Sequence, residues 1–512
     1  MRRYSTFAAI VIGSKNIMMK IFEISKTAGV RELDCISYEY ELGQEAYITR
    51  VITFEQIEEI CEVLREFSEK MKEYDVTEYR CCGTTALRNA KNRAAVVNHI
   101  KIRTGIDVTV LSNSEVRFHM YMGMHTSKYD IDKYIEKNTA ILDIGSGSIQ
   151  ISLFDKGNLY MTQNLDIGTS KITEMFDTVQ HNSRDYISVM EEYIEYELGL
   201  FQNSYLKDKS IKNVIAVGDE IIYLKKIVPE LSIEDTLDKS QIEYIFKKVK
   251  RASYQDMAVQ YGLTNDEVKA VMPTILIYRR MITEAKTDLI YVVPTNLCDG
   301  LVMDYAIQTV KIKMDHDFYQ DIVASVKYIG KRYQYDKIHS EFVRQVAVEI
   351  FDRTQKYHGL GKRDRLVIEI AAIIHDIGKY VNMRDPGMNG YQMIMSTEII
   401  GISHREREEV ANAVRYMTEE LPDSAVQDSY FWREEYLKVA KLSAILRLVN
   451  SLDRAHRQKF DNISMKRKGK DLIIVVESNQ DITLEISLFD KKARYFSEII
   501  GVVPQLRQRR SI

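Results

Sequence analysis

An internal repeat limits what this chain can fold into more than any other feature. Phe7-Ala8-Ala9-Ile10-Val11-Ile12-Gly13-Ser14 recurs 132 positions later as Thr139-Ala140-Ile141-Leu142-Asp143-Ile144-Gly145-Ser146. The match continues through Ile17/Ile149, Ile21/Leu153 and Phe22/Phe154. Each copy is a β-branched run, a turn of glycine and serine, and a second alternating run, which is the pattern of a hairpin. A duplicated hairpin implies two related lobes, one built around each copy.

The second turn, Asp143-Ile144-Gly145-Ser146-Gly147-Ser148, is suited to phosphate. Its glycines let several backbone N–H groups converge on one point, and Ser146 and Ser148 add hydroxyl donors. Asp143, at the strand end, can hold Mg²⁺ or orient a water beside that phosphate. A single turn of this kind is often only a hairpin turn, and the repeat is what points to a site.

Composition narrows the partners. The formal net charge of −3 over 512 residues advertises neither nucleic acid nor a membrane surface, so any anion site must be local. Cys35, Cys61, Cys81, Cys82 and Cys298 form no CxxC pair, which suits a reducing compartment and a cytoplasmic location. Met1-Arg2-Arg3 begins like a leader, but Gly13-Ser14-Lys15 ends the apolar stretch Phe7 to Ile12 too early. No later window nears the roughly 18–20 apolar residues of a spanning helix, so no membrane insertion is expected.

The hairpins resemble the phosphate-binding loops of the superfamily of actin, sugar kinases and heat-shock ATPases, and within it the exopolyphosphatase and guanosine pentaphosphate phosphatase family. Three further stretches carry the narrower resemblance. Gly83-Thr84-Thr85-Ala86-Leu87-Arg88-Asn89-Ala90-Lys91-Asn92 is similar to the family's G-T-x-A-x-R-x-A-x-N segment. Thr104 to Ser112 followed by Glu115-Val116-Arg117-Phe118 is similar to its strand and E-A-R-L helix start, and Ile215-Ala216-Val217-Gly218 to its nucleotide-side turn. The resemblance implies an actin-like (ribonuclease H-like) α/β module in two lobes, residues 1–134 and 135–311. It also implies hydrolysis of a terminal phosphoanhydride of polyphosphate or guanosine pentaphosphate, with Mg²⁺, no organic cofactor and a homodimer. Arg88 would clamp phosphate, with Gly13, Ser14, Lys15, Thr84, Thr85, Gly145, Ser146, Gly147 and Ser148 around it. Asp143 would bind the metal and Glu115 would orient water. Aligning Glu115 with the family's glutamate needs a one-residue gap on each side, and without the gaps Val116 takes that position.

From about Ser325 the chain reads as amphipathic helices. His339 starts one, with Val343, Val346, Ala347 and Ile350 along a buried stripe, and Ile368 to Ile374 leads into His375-Asp376-Ile377-Gly378-Lys379. This resembles the HD superfamily, so residues 312–460 are expected to form an all-α HD-type domain. His339, His375 and Asp376 offer an HD-like metal set. The family's last aspartate falls on Asn450, and its extra histidines on Asn389 and Met417, which favours a structural polar cluster. Asp453 and His456 lie near Asn450 but are not taken as ligands. Residues 461–512 read as a small α+β unit: strands 472–476 and 482–486, then a helix from Lys491 to Ile500. Lys466-Arg467-Lys468-Gly469-Lys470 reads as a solvated basic loop and Arg507-Gln508-Arg509-Arg510 as a frayed tail.

Several positions depart from the family. Val11 replaces the first hairpin's acidic residue, Gln150 a glutamate, Asp219 a glycine, and Cys298 the arginine of L-R-E-G. Three activities follow as expectations: a metal-assisted phosphoanhydride hydrolase, a sensor that binds polyphosphate or alarmone without turnover, or an ATP-dependent kinase. The first ranks ahead, and the last is disfavoured by Asp219.

Overall fold

The computed structural model describes residues 4–40, 49–126, 129–180, 185–206, 210–227, 235–285, 287–422 and 430–510. The leader-like Met1, Arg2 and Arg3 fall outside them. The chain divides into two compact units, Met1–Asp321 and Ile322–Ile512.

The first unit contains two sheets. One has the order β3-β2-β1-β4-β5, from β1 (Ser5–Ile12), β2 (Asn16–Ser25), β3 (Gly29–Glu39), β4 (Glu78–Gly83) and β5 (Val108–Val110). The other has the order β10-β11-β9-β6-β7-β8, from β6 (Thr139–Ile144), β7 (Ile149–Asp155), β8 (Asn158–Leu165), β9 (Asn213–Val217), β10 (Thr236–Asp238) and β11 (Leu289–Val292). The sequence repeat is therefore a structural repeat: β3-β2-β1-β4 and β8-β7-β6-β9 share one topology. Their hairpin registers agree as well, Ile12 facing Ile17 and Ile144 facing Ile149.

The alternation of β1 explains how its sheet is covered on both faces. Ala8, Ile10 and Ile12 join the core formed by Ile57, Ile60, Cys61, Leu64 and Phe67 of helix Phe54–Glu73. Phe7 and Ala9 meet helix Leu297–Tyr305 instead. Phe7 stacks on Tyr305 at 4.4 Å, and the Cys298 thiol lies 3.5 Å from the Ala9 carbonyl. That helix also packs on helix Asn113–Met124.

The first unit runs ten residues past the expected limit of 311. The reason is Asp321, which is buried and accepts the Leu159 N–H at 3.1 Å, binding the segment to β8.

The second unit is mostly helical, with helices Lys337–His358, Lys362–Ile374, Pro386–Met395, His404–Thr418 and Tyr430–Asn450. Val343, Val346, Ala347 and Ile350 are buried on the first of these. A three-stranded sheet follows, in the order β12-β13-β14, from β12 (Asn462–Lys468), β13 (Asp471–Glu477) and β14 (Val503–Arg509). Two expectations are corrected here. Residues 482–486 are not a strand; Thr483–Ile500 is one helix, because Glu485, Phe489, Phe496 and Ile500 are buried at helical spacing. The basic stretches are strands rather than a loop and a tail: Lys466 to Lys468, exposed as expected, lie in β12 and pair with β13, and Arg507 and Arg509 lie in β14, parallel to β13.

Candidate functional site

The two repeated turns face one cavity of about 210 Å³. Gly13, Ser14, Lys15, Thr84, Thr85, Asp143, Gly145, Ser146, Gly147 and Ser148 all line it. The turns are built alike: the Gly13 N–H donates to the Asn16 carbonyl at 2.8 Å, and the Gly145 N–H to the Ser148 carbonyl at 3.0 Å. The second turn is also held from beneath, where the Thr169 and Ser170 N–H groups donate to the Gly145 and Ser146 carbonyls, each at 3.0 Å. Gly168 permits that approach, since a Cβ there would sit 2.3 Å from the Ser146 oxygen. Sequence reasoning missed this support, because a lone glycine between β8 and a helix carries no signal of what it touches.

Glu115 and Arg88 are absent from the cavity wall. Glu115 sits at the third position of helix Asn113–Met124, where its carboxylate accepts the Ser112 N–H at 2.8 Å and its own N–H donates to the Ser112 hydroxyl at 3.2 Å. This reciprocal cap holds the side chain at the helix start, beside Tyr79, Arg80 and His119. Val116 lines the cavity in its stead, as in the ungapped alignment. The signal was readable: Ser112-x-x-Glu115 is a capping-box sequence. The Arg88 guanidinium donates to the Leu111 carbonyl at 2.9 Å and the Thr85 hydroxyl at 3.0 Å, one layer behind the wall.

The cavity floor is acidic. Gly218, at φ 91°, turns the end of β9 so that Asp219 and Glu220 start a helix facing Asp143. A side chain at Gly218 would press on Asp143, its Cβ 2.7 Å from Oδ1. Burial, then repulsion from Glu220 and Asp219, pushes the Asp143 carboxyl up to about 7 against the pull of Arg117. Burial raises Asp219 and Glu220 too, and Lys15 opposes it in both. Lys15, from the first turn, lies 3.4 Å from Glu220. On the opposite wall the Arg117 Nε–H donates to Gln150 Oε1 at 3.2 Å. The buried Thr295 hydroxyl, also in the wall, has no protein hydrogen-bond partner. Glu220 and Thr295 were not foreseen from sequence.

In the second unit the structure brings His339, His375 and Asp376 together. His339 Nε2 lies 3.2 Å from His375 Nε2, and His375 Nε2 3.6 Å from Asp376 Oδ1. Burial drives the His375 imidazole down to about 4, so it is neutral. Asp453 and His456, set aside above, belong to the same cluster. The 3₁₀ turn Ser451–Asp453 brings Asp453 Oδ2 within 2.8 Å of His339 Nδ1, and the His456 ring stacks on His339 at 3.7 Å. Asn450 is buried with its side-chain oxygen unpartnered.

Two repeated hairpins that close on a glycine- and serine-rich cavity with acidic residues at its floor define a two-lobed protein of actin-like fold. Comparison with known proteins narrows the class. Residues 25–308 match the Ppx/GppA phosphatase family and residues 323–492 its domain III, and the chain belongs to that family. Among similar proteins, a guanosine-5'-triphosphate,3'-diphosphate pyrophosphatase of Vibrio parahaemolyticus is 18% identical over 81% of this chain and 82% of its own. A bifunctional 3-dehydroquinate synthase/phosphatase of Fusobacterium nucleatum is 23% identical over 33% of this chain, but the match covers only 26% of that relative's length. Crystal structures of the Aquifex aeolicus Ppx/GppA family member (TM-score 0.51, 19% identity) and a Cytophaga hutchinsonii exopolyphosphatase (0.52, 17%) share the fold. Each covers 60% of this chain, and 98% and 99% respectively of its own. Among the described residues no helix is long and apolar enough to cross a membrane.

Proposed function

We propose that the cavity holds the terminal phosphates of a linear phosphoanhydride, inorganic polyphosphate or guanosine pentaphosphate, and that water attack there releases the end phosphate. The observation that carries this reading is that both repeated turns and Asp143 line one cavity. Phosphoryl transfer asks little covalent chemistry of a protein; it needs positioned phosphate, neutralised charge and an aligned water. Backbone amides of the two turns, the hydroxyls of Ser146, Ser148 and Thr295, and Lys15 supply the first two. Alignment of water falls to Asp143, the carboxylate at the strand end beside the second turn. Asp143, Asp219 and Glu220 are hard oxygen donors on one cavity, the ligand type that suits Mg²⁺. Bound there, Mg²⁺ would supply positive charge to the phosphate oxygens. The second unit is read as an HD-type helical domain, its His339, His375 and Asp376 joined by Asp453 and His456.

A second reading, binding without turnover, is favoured by one observation: Val116 and Gln150 occupy the wall where the family's carboxylates are expected. Phosphate release from both substrates, measured beside thermal shift, separates the two. Release by wild type, reduced about 100-fold or more in Asp143→Asn and within about threefold of wild type in Glu115→Gln, supports hydrolysis. Stabilisation by ligand without release supports the sensor, and neither effect removes both readings.

A further inference from the structure

Outside the lining of that cavity, the first unit brings His125, Asp132 and His316 together. His125 caps the C-terminal end of helix Asn113–Met124, Asp132 sits on the short helix Ile131–Ile135, and His316 lies in the segment leading to Asp321. Asp132 Oδ1 is 3.4 Å from His125 Nε2 and 2.9 Å from His316 Nδ1.

The other nitrogen of each ring fixes its tautomer. His316 Nε2 lies 2.6 Å from Asp321 Oδ2 and 2.7 Å from the Tyr121 hydroxyl, which can accept as well as donate, and Asp321 Oδ1 already accepts the Leu159 N–H. A carboxylate can only accept, so His316 Nε2 carries the proton. His125 Nδ1 lies 3.2 Å from the Tyr121 carbonyl, also an acceptor and nearer than the carboxylate oxygen at 3.4 Å from Nε2, which favours the proton of His125 on Nδ1. The two remaining nitrogens, His125 Nε2 and His316 Nδ1, therefore point lone pairs at a carboxylate oxygen. Acceptor facing acceptor is repulsive unless a cation lies between them. A proton on His316 would satisfy the 2.9 Å contact and leave the His125 contact unexplained.

Tetrahedral zinc, with ligands at about 2.0–2.1 Å, holds neighbouring donor atoms about 3.3 Å apart. The two separations here fall within a few tenths of an ångström of that. The outer contacts are those of a metal-bound histidine, one ring anchored to a carboxylate and the other to a backbone carbonyl. Tyr121 and Phe318 wall the rings edge-on, with centroids 5.0–5.5 Å away, and the histidine side chains are 6% and 9% exposed. Asp132, 42% exposed, leaves one side of the site open to water as a fourth ligand.

We propose that His125, His316 and Asp132 bind a divalent transition metal of the zinc class. Two imidazoles and a carboxylate select such an ion over Mg²⁺ or Ca²⁺, which prefer oxygen. The ion staples the segment ending at Asp321 to the end of helix Asn113–Met124.

The test is a Zn²⁺ titration of the chelator-stripped full chain against a chromophoric competitor, with bound metal counted after desalting. His339→Gln serves as the control for the other histidine cluster. The expected result is one zinc site that persists in His339→Gln and weakens at least tenfold in His125→Gln and in Asp132→Asn. Far-UV circular dichroism checks folding, and Asp132→Asn, an isosteric change at a part-exposed side chain, decides the matter if His125→Gln unfolds. Zinc binding unchanged in Asp132→Asn, or lost entirely in His339→Gln, overturns the proposal.

Discussion

Asp143 keeps its carboxyl where water is scarce and two other carboxylates are close, and this has a cost that depends on pH. Its folded value is pushed up to about 7, above the ordinary 3.8 of the unfolded chain, so between those limits the folded state binds the extra proton. Stability from this group is therefore unaffected below about pH 4, falls as pH rises, and levels off above about 7. With a chelator present, Asp143→Asn should be more stable than wild type at pH 8, by roughly 2–4 kcal/mol, with little difference near pH 4. Thermal melts across that range check it; an equal offset at both ends would mean that burial does not shift this carboxyl. The neighbouring pair Glu115 and Val116 gives a complementary prediction. Glu115→Ala should cost about 1 kcal/mol of stability through the lost cap, with no specific loss of phosphate release. Val116→Glu places a carboxylate in the cavity wall and should raise phosphate release about tenfold or more, read in the same assay. If release does not respond, that wall is not where water is activated.

At the scale of elements, the hairpins were legible because period-two alternation and glycine turns leave local marks, and both copies carry them. What turned on one-residue register or on packing was not legible. The sequence favoured Glu115 over Val116 by retaining a motif, yet a capping contact within the helix decides which of the two faces the cavity. Ile482-Thr483-Leu484-Glu485-Ile486 alternates like a strand, but long-range burial of Phe489, Phe496 and Ile500 draws it into a helix. The arginines of β14 looked like a loose tail because the strand's pairing partner, β13, is distant in sequence. Asp453 was set aside because only the 3₁₀ turn after Asn450 shows which way it points. The support beneath the second phosphate turn is the most testable of the hidden contacts. Gly168→Ala drives a methyl to 2.3–2.5 Å from Ser146, Ser148 and Gly147, so the turn must move. Affinity for polyphosphate, followed by thermal shift, should fall at least tenfold while circular dichroism stays native. Unchanged affinity would show that the turn's amides do not grip the ligand.

For the molecule as a whole, each of the two units has a core of its own. In Ile322–Ile512, Val343, Ile350, Ile370, Ile374, Val410, Leu442 and Leu446 are buried alongside Leu472, Ile474 and Phe489. Expressed alone, residues 322–512 should unfold in one cooperative transition with a heat-capacity change of about 2–3 kcal/mol/K. A broad, non-cooperative melt in calorimetry would show that this core does not stand alone. In the first unit the sheets are joined across the cavity by Lys15, whose ammonium rests against Glu220. On the proposed reading an arriving phosphate competes for that ammonium, so occupancy would exclude the tether between the first turn and helix Asp219–Ile227. The lysine would then be a resident counterion that exchanges its carboxylate for the guest, leaving Glu220 with one fewer cation once the cavity is filled.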